Sequence, residues 1–105
     1  MKFKEGNGWK ACYDEERNLY TAERGSRGFY ALYEIDKEMF DQLGTSGVDG
    51  FEADKLIIKG RQLFEADDDY YTAPYVRVID DRFNEIAPWS RAKRRYDRHY
   101  GKDDT

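Results

Sequence analysis

Residues 28–43, GFYALYEIDKEMFDQL, carry a strand pattern that runs directly into a helix pattern. Between Phe29 and Ile35, apolar side chains fall on both sides of an extended chain. Aromatic and apolar residues on both sides predict a strand in the interior of a sheet. Asp36 belongs to a residue type that caps helices, so a helix is predicted to begin at Lys37.

Shorter segments before and after this stretch repeat the same two patterns. Two alternating segments precede it, and the short turns between the first three strands are typical of an antiparallel meander. In a second helix, Phe51, Lys55 and Ile58 lie on one side, so its apolar stripe is broad. The apolar residues close to this side are Ala53, Leu56 and Ile57. The predicted strands are residues 9–13, 19–24, 28–35, 61–66 and 75–80, and the predicted helices are residues 37–43 and 51–59.

These elements predict a single α+β domain with an antiparallel sheet of about five strands, in the order βββααββ, and two helices on one face. Residues 61–66 would also fit a continuation of the second helix, although Gly60 favours a break and a strand. Residues 1–8 are polar and are predicted to be a loose lead-in. After the last strand, Phe83, Ile86 and Trp89 are predicted to fold back onto the sheet.

Charge separates an acidic body from a basic C-terminal segment. Residues 1–90 contain 12 Lys and Arg against 19 Asp and Glu, whereas six basic residues and one acidic residue lie within residues 91–102. We therefore predict a compact domain over residues 1–90 and a basic helix or flexible tail over residues 91–105, with Ser90 as the cap of such a helix.

Residue types that carry chemistry are present but lack the patterns that catalysis or metal binding requires. His99 is the only histidine and lies among basic residues, and Cys12 is the only cysteine and is predicted to be a small buried residue. Asp67–Asp69 are predicted to form a solvated loop, because their spacing is not that of a calcium site. A carboxylate pair such as Glu23 and Glu34 could serve acid–base catalysis, but no pattern in the sequence selects this pair over any other. We predict no catalytic residue, no metal site and no cofactor.

Aromatic residues make up 16% of the chain and include nine tyrosines. Tyr70, Tyr71 and Tyr75 cluster around a predicted hairpin loop and are predicted to form a protein interface, because tyrosine is enriched in interfaces. The sequence thus predicts a non-catalytic protein-interaction or accessory module that binds a protein partner or forms a homodimer.

The alternative is a nucleic-acid-associated accessory protein. Basic residues interleaved with tyrosines would neutralise phosphates and stack on bases, or would contact an acidic partner instead. The residues predicted for this contact are Arg91, Lys93, Arg94, Arg95 and Arg98. No stretch approaches the length of a membrane-spanning helix, so we predict a soluble cytoplasmic protein without a membrane partner.

Overall fold

The computed structural model describes residues 1–26, 29–67, 75–80, 82, 85 and 87–91. This part of the chain folds into one antiparallel sheet and two helices, which confirms the predicted α+β class. The strands are β1 (Lys2–Gly6), β2 (Trp9–Asp14), β3 (Leu19–Ser26), β4 (Phe29–Ile35), β5 (Arg61–Asp67) and β6 (Tyr75–Val78), and the helices are α1 (Lys37–Gln42) and α2 (Phe51–Ile57).

Each strand pairs with its neighbours in sequence, so the sheet has the spatial order β1-β2-β3-β4-β5-β6. The strand predicted to be central, β4, lies in the interior between β3 and β5. Its residues Ala31, Leu32 and Tyr33 are all buried, which is expected of a strand that is covered on both faces.

The sheet has six described strands rather than about five, because the prediction that residues 1–8 form a loose lead-in is wrong. Gly6 pairs with Trp9 across a turn at Asn7 and Gly8, and this turn joins β1 to β2. Gly8 has a φ of +80°, a conformation that glycine adopts without steric cost. β1 is an edge strand with mostly exposed, polar side chains, and it therefore lacks the apolar alternation that marks the other strands.

Side chains fix both ends of α1. The carboxylate of Asp36 accepts a hydrogen bond from the backbone N–H of Met39 at 2.8 Å, which confirms the predicted N-cap. At the other end, the ammonium of Lys4 donates to the carbonyl oxygens of Phe40 and Leu43 at 2.8 and 3.2 Å. A cation is favourable at this end because helix carbonyls there lack intrahelical partners. The edge strand β1 thus stabilises the end of α1.

Residues 61–66 belong to strand β5 (Arg61–Asp67), so the strand is confirmed and the long-helix alternative is wrong. Helix α2 ends at Ile57, two residues before the predicted end. The chain then turns against the sheet, and a Cβ atom at Gly60 would lie 2.4 Å from the backbone oxygen of Glu34. Glycine is needed there because any side chain would force the turn away from β4.

Both helices pack on one face of the sheet, as predicted, and we call this the helix face. The cross-strand partners Ala11 and Ala22 are fully buried there. Their small side chains leave room for the larger groups of the helices and of the outer strands. The buried core of the helix face consists of Trp9, Ala11, Ala22, Ala31, Tyr33, Ile35, Phe40, Leu43, Ala53 and Ile57.

The other face of the sheet, which we call the opposite face, has a second core and is crossed by residues 87–91. Trp89 packs against this core, and its ring meets that of Phe3 edge-on at 5.9 Å between centroids. The predicted return of Trp89 to the sheet is therefore confirmed, whereas Phe83 and Ile86 lie outside the described residues. The buried members of the second core are Leu32, Leu63, Phe64, Ala66 and Ala87.

A buried polar contact attaches this C-terminal segment to the middle of the sheet. The hydroxyl of Ser90 donates a hydrogen bond to the carboxylate of Glu23 on β3, and both side chains are buried. Burying a carboxylate is costly unless it is hydrogen-bonded, so this contact helps to offset the burial of Glu23. The helix that Ser90 was predicted to cap lies almost entirely outside the described residues.

Candidate functional site

The tyrosine interface predicted from the sequence falls largely outside the described part of the chain. Tyr70 and Tyr71 are not among the described residues. The backbone of Tyr75 pairs with that of Asp67 at the start of β6. The role of these three tyrosines in an interface stays a prediction.

Arg91 is the one described member of the predicted basic contact set. Its side chain is exposed, and its guanidinium carbon lies 5.7 Å from the ring centroid of Tyr30 on the opposite face. A cation over an aromatic ring is a weakly favourable contact at an exposed site. The remaining members of the set lie outside the described residues, namely Lys93, Arg94, Arg95 and Arg98. His99 lies outside them as well. The division of the chain at residue 90 likewise stays a prediction.

Cys12 is fully buried on the opposite face, as predicted for a small core residue. Burial, and to a smaller extent the charge of Asp14, raises the pKa of its thiol to about 11. Because the thiolate is the reactive form, the folded protein keeps Cys12 unreactive near neutral pH.

Many of the described carboxylates are paired with cations or with hydrogen-bond donors. Glu34 and Asp80 both lie close to Arg61, at 3.1 and 2.9 Å, and Asp80 also lies 2.8 Å from Arg82. Hydrogen bonds from Arg82 and Arg61 hold the pKa of Asp80 far below its usual range. Glu23, in contrast, bonds Ser90, so the two glutamates that the sequence suggested as a pair have separate partners. Within the described ranges, no three His, Cys, Asp or Glu side chains form a group that could bind a metal.

Large apolar side chains are exposed at both ends of α2, as they also are at Met1, Phe3, Val78 and Ile79. Asp49 holds the segment that leads into α2. The carboxylate of Asp49 accepts hydrogen bonds from the indole N–H of Trp9 at 2.7 Å and from the backbone N–H of Asn7 at 2.9 Å. The bond from Trp9, followed by that from Asn7, lowers the pKa of Asp49. The connector between the helices is thereby tied to the turn between β1 and β2.

The inner side of α2 is packed against the helix face. Ala53 and Ile57, one helical turn apart, are fully buried in the core. Asp54 lies 3.4 Å from Arg24 of β3 and adds an ion pair at the edge of this contact. These contacts fix the rotation of the helix about its axis and therefore determine which residues point outward.

The outer side of α2 carries two large apolar residues and a lysine. Phe51 is 74% exposed and Ile58, the C-cap residue, is 51% exposed. Lys55 lies between them at helical spacing, with its ammonium 5.4 Å from the ring centroid of Phe51 and 3.4 Å from the carboxylate of Glu52. We call Phe51, Lys55 and Ile58 the α2 stripe. The broad apolar side predicted for this helix is therefore divided between the core and the solvent.

A shallow cleft of about 200 Å³ lies beside the α2 stripe, between α2 and the connector. Val48 and Leu56, both half-buried, supply its apolar floor. Its polar lining consists of Gln42, Glu52, Lys55 and Lys59. The stripe and the cleft share Lys55 and therefore adjoin, so that together they form a surface of exposed apolar and charged side chains.

A second cluster of aromatic and basic side chains lies on the opposite face, near the end of β1. The ammonium of Lys10 lies 4.8 Å from the ring centroid of Phe3 and 5.9 Å from that of Trp89. The cavity beside Lys10, lined also by Glu23 and Arg91, measures about 50 Å³. This volume holds only a few water molecules and is small against the roughly 300–1,000 Å³ of typical ligand sites.

The sequence contained signals for some of these features that the predictions did not use. Asn7-Gly8 is a common hairpin turn and indicates a strand before Trp9. Phe51 and Ile58 were both recognised as apolar, but their exposure depends on how α2 packs, because Ala53 and Ile57 compete with them for the core. The contact of Ser90 with Glu23 joins residues 67 positions apart, and no local pattern indicates it.

No protein-family model, curated protein or solved structure matches this chain. In the described part of the chain, no helix is long and apolar enough to cross a membrane.

Proposed function

We propose that this protein is a non-catalytic protein-binding module and that the α2 stripe with its cleft is the docking surface. The observation that carries the proposal is the exposure of Phe51, of which 74% is accessible to solvent beside the half-exposed Ile58. Single exposed apolar residues are common on proteins, but one at the start of α2 and one at its C-cap lie on the same side of the helix, next to a cleft with an apolar floor, and form a patch.

Covering this patch would contribute a substantial part of a binding free energy. Complete burial of a Phe or Ile side chain is worth about 1.5–3 kcal/mol each. Aromatic side chains at the centre of an interface commonly account for most of the affinity. Asp49, Ala53 and Ile57 fix α2 on the sheet, so Phe51 and Ile58 would enter an interface without a large loss of backbone entropy.

The proposal is tested by photo-crosslinking in the cells that produce the protein. A benzoylphenylalanine in place of Phe51 is expected to yield a defined adduct with another protein, and Ile58→Ser in the same chain should abolish it. The same probe in place of Ile79, an apolar residue of similar exposure to Ile58, is the matched control. The proposal that α2 is the docking surface would be refuted if the adduct survived Ile58→Ser, or if no adduct formed at position 51.

A second candidate function is contact with single-stranded nucleic acid on the opposite face. It is favoured by the cluster of Phe3, Lys10, Trp89 and Arg91, since aromatic rings interleaved with cations suit bases and phosphates. The chain has a formal net charge of −4, which opposes such binding. Fluorescence anisotropy with a labelled oligothymidine at low and high salt tests it: binding that is lost on Lys10→Ala supports it, and no binding at low salt excludes it.

The proposal includes a cytoplasmic location and does not involve a membrane. The buried and unpaired thiol of Cys12, the only cysteine, is compatible with a reducing compartment. Fractionation of cells that express the tagged protein would test this location directly.

A further inference from the structure

We infer that the partner of the α2 surface is an amphipathic helix whose polar positions are acidic, an inference that rests on the function proposed above. Its first support is spacing. Phe51 and Ile58 are seven residues apart, which corresponds to two helical turns and about 10 Å along α2. A partner helix repeats its apolar side chains at the same interval, whereas side chains on one side of a strand recur every ~7 Å. The stripe therefore matches a helix better than an extended peptide.

The charge around the stripe supports an acidic partner. Lys55 lies within the stripe and Lys59 lines the cleft, whereas Glu52 is the one acidic residue of the cleft lining. Lys59 makes no ion pair with any described residue, whereas Lys55 makes a 3.4 Å ion pair with Glu52 and lies over the ring of Phe51. The stripe and the cleft lining together carry two lysines and one glutamate, in a chain whose net charge is −4. Carboxylates on a partner would find both lysines accessible, Lys55 within the stripe and Lys59 beside it in the cleft.

The same charges disfavour a second copy of the chain as the occupant. A symmetric dimer formed through α2 would bring the two stripes together about a two-fold axis. Whether the helices ran parallel or antiparallel, Lys55 of one copy would face Lys55 of the other near the middle of the interface. Like charges at the centre of an apolar contact are destabilising. The acidic helix has no such conflict, because its carboxylates would occupy the position between the two lysines.

The test uses two labelled peptides of about 15 residues, the length at which an isolated helix begins to be stable. In both peptides Leu occupies positions i, i+3, i+4 and i+7, and Ala fills the other positions between i and i+7. All positions outside this stretch are Glu in one peptide and Lys in the other. Fluorescence anisotropy measures their binding to the full chain. The Glu peptide is expected to bind roughly tenfold more tightly than the Lys peptide at low salt.

Charge reversal supplies the decisive comparison. Lys55→Glu with Lys59→Glu should reverse the preference between the two peptides. Lys2→Glu with Lys37→Glu changes two exposed lysines elsewhere and matches the change in net charge, so it should leave the preference intact. The inference of an acidic partner would be overturned if charge reversal at Lys55 and Lys59 left the preference for the Glu peptide unchanged. It would also be overturned if the control variant changed this preference equally.

A third variant separates this inference from the proposed function. Phe51→Ala with Ile58→Ala should weaken both peptides by roughly tenfold or more, because it removes the apolar contact that they share. If these substitutions weaken binding but charge reversal has no effect, the α2 surface stands and the acidic partner is wrong. If neither pair of substitutions changes binding, or no peptide binds, both the inference and the α2 surface fail for helical partners.

Discussion

The helix face and the opposite face of the sheet are both buried, but by different means. On the helix face, Ala11 and Ala22 pack under two helices in a wholly apolar core. On the opposite face, Thr21 and Glu23 are as deeply buried as apolar residues, and residues 87–91 cross this face with Ser90 hydrogen-bonded to Glu23. Regular helices suffice to cover small apolar side chains, whereas buried polar groups need a cover that supplies hydrogen bonds.

The difference has a consequence for function. Because residues 87–91 cross the opposite face, its apolar side chains are not available as a large docking surface. On the helix face, each helix buries only one side, and α2 leaves Phe51 and Ile58 in solvent. Of the six large apolar side chains that are exposed in the described chain, Phe51 has the largest exposed fraction and lies on a well-anchored helix, which favours α2 as the surface that binds a partner.

The largest effect is expected from truncating the core of the opposite face. Phe64→Ala removes a fully buried ring and should lower the free energy of unfolding by about 3–5 kcal/mol. Phe51→Ala removes the same ring from an exposed position and should change it by less than about 0.5 kcal/mol. Urea denaturation measures both. Similar losses of unfolding free energy in the two variants would show that Phe51 is packed, which would contradict the contrast between a buried and an exposed ring.

A slightly smaller effect is expected on the helix face. Ile57→Ala should lower the free energy of unfolding by about 2–5 kcal/mol, because Ile57 is fully buried between α2 and the sheet. Its neighbour Ile58, half exposed, is the matched control, and Ile58→Ala should cost less than about 0.5 kcal/mol. The reverse order of the two losses would mean that α2 is rotated on the sheet and that the α2 stripe is buried.

The polar cover of the opposite face is tested by Ser90→Ala. Loss of the hydrogen bond to buried Glu23 should lower the free energy of unfolding by about 1–3 kcal/mol. It should also make the C-terminal segment more susceptible to limited trypsin digestion near Arg91, because that segment is held partly by this bond. Ser46→Ala, in the exposed connector, should change neither quantity. Unchanged stability in the Ser90 variant would indicate that the apolar contacts of Ala87 and Trp89 suffice.

The smallest effect concerns pH and lies outside both cores. The pKa of Asp80 is lowered in the folded chain by Arg82 and Arg61, so the folded state favours the ionised carboxylate more than the unfolded state does. The resulting stabilisation is complete above about pH 5 and is lost as the pH falls below about 4. Asp80→Asn should therefore flatten the decline in thermal stability between about pH 5 and pH 3. An identical decline in both proteins would contradict this role of Asp80.

Local sequence patterns were sufficient for most of the fold. The alternation in β4 placed it in the sheet interior, Asp36 marked the start of α1, and Gly60 marked the boundary between α2 and β5. β1 was not predicted, because an edge strand forms through backbone pairing and a turn and does not require alternating apolar side chains. The side chains of β1 are mostly polar.

The candidate site was less accessible to sequence reasoning than the fold. Phe51 and Ile57 have comparable hydrophobicity, and only the packing of α2 determines that the first is exposed and the second buried. The position of the helix depends in turn on Asp49, whose bond to Trp9 spans 40 residues. Contacts between residues so distant in sequence are not encoded in any local period.

The central claim, that α2 is the surface that binds a partner, is tested most directly by NMR mapping on the full chain. Backbone amide shifts of the ¹⁵N-labelled protein would be recorded during titration with the acidic helical peptide. The account predicts that the largest shifts fall within residues 48–59, around Phe51 and Ile58. Largest shifts at Phe3, Lys10 and Trp89 on the opposite face, or no shifts at any residue, would contradict it.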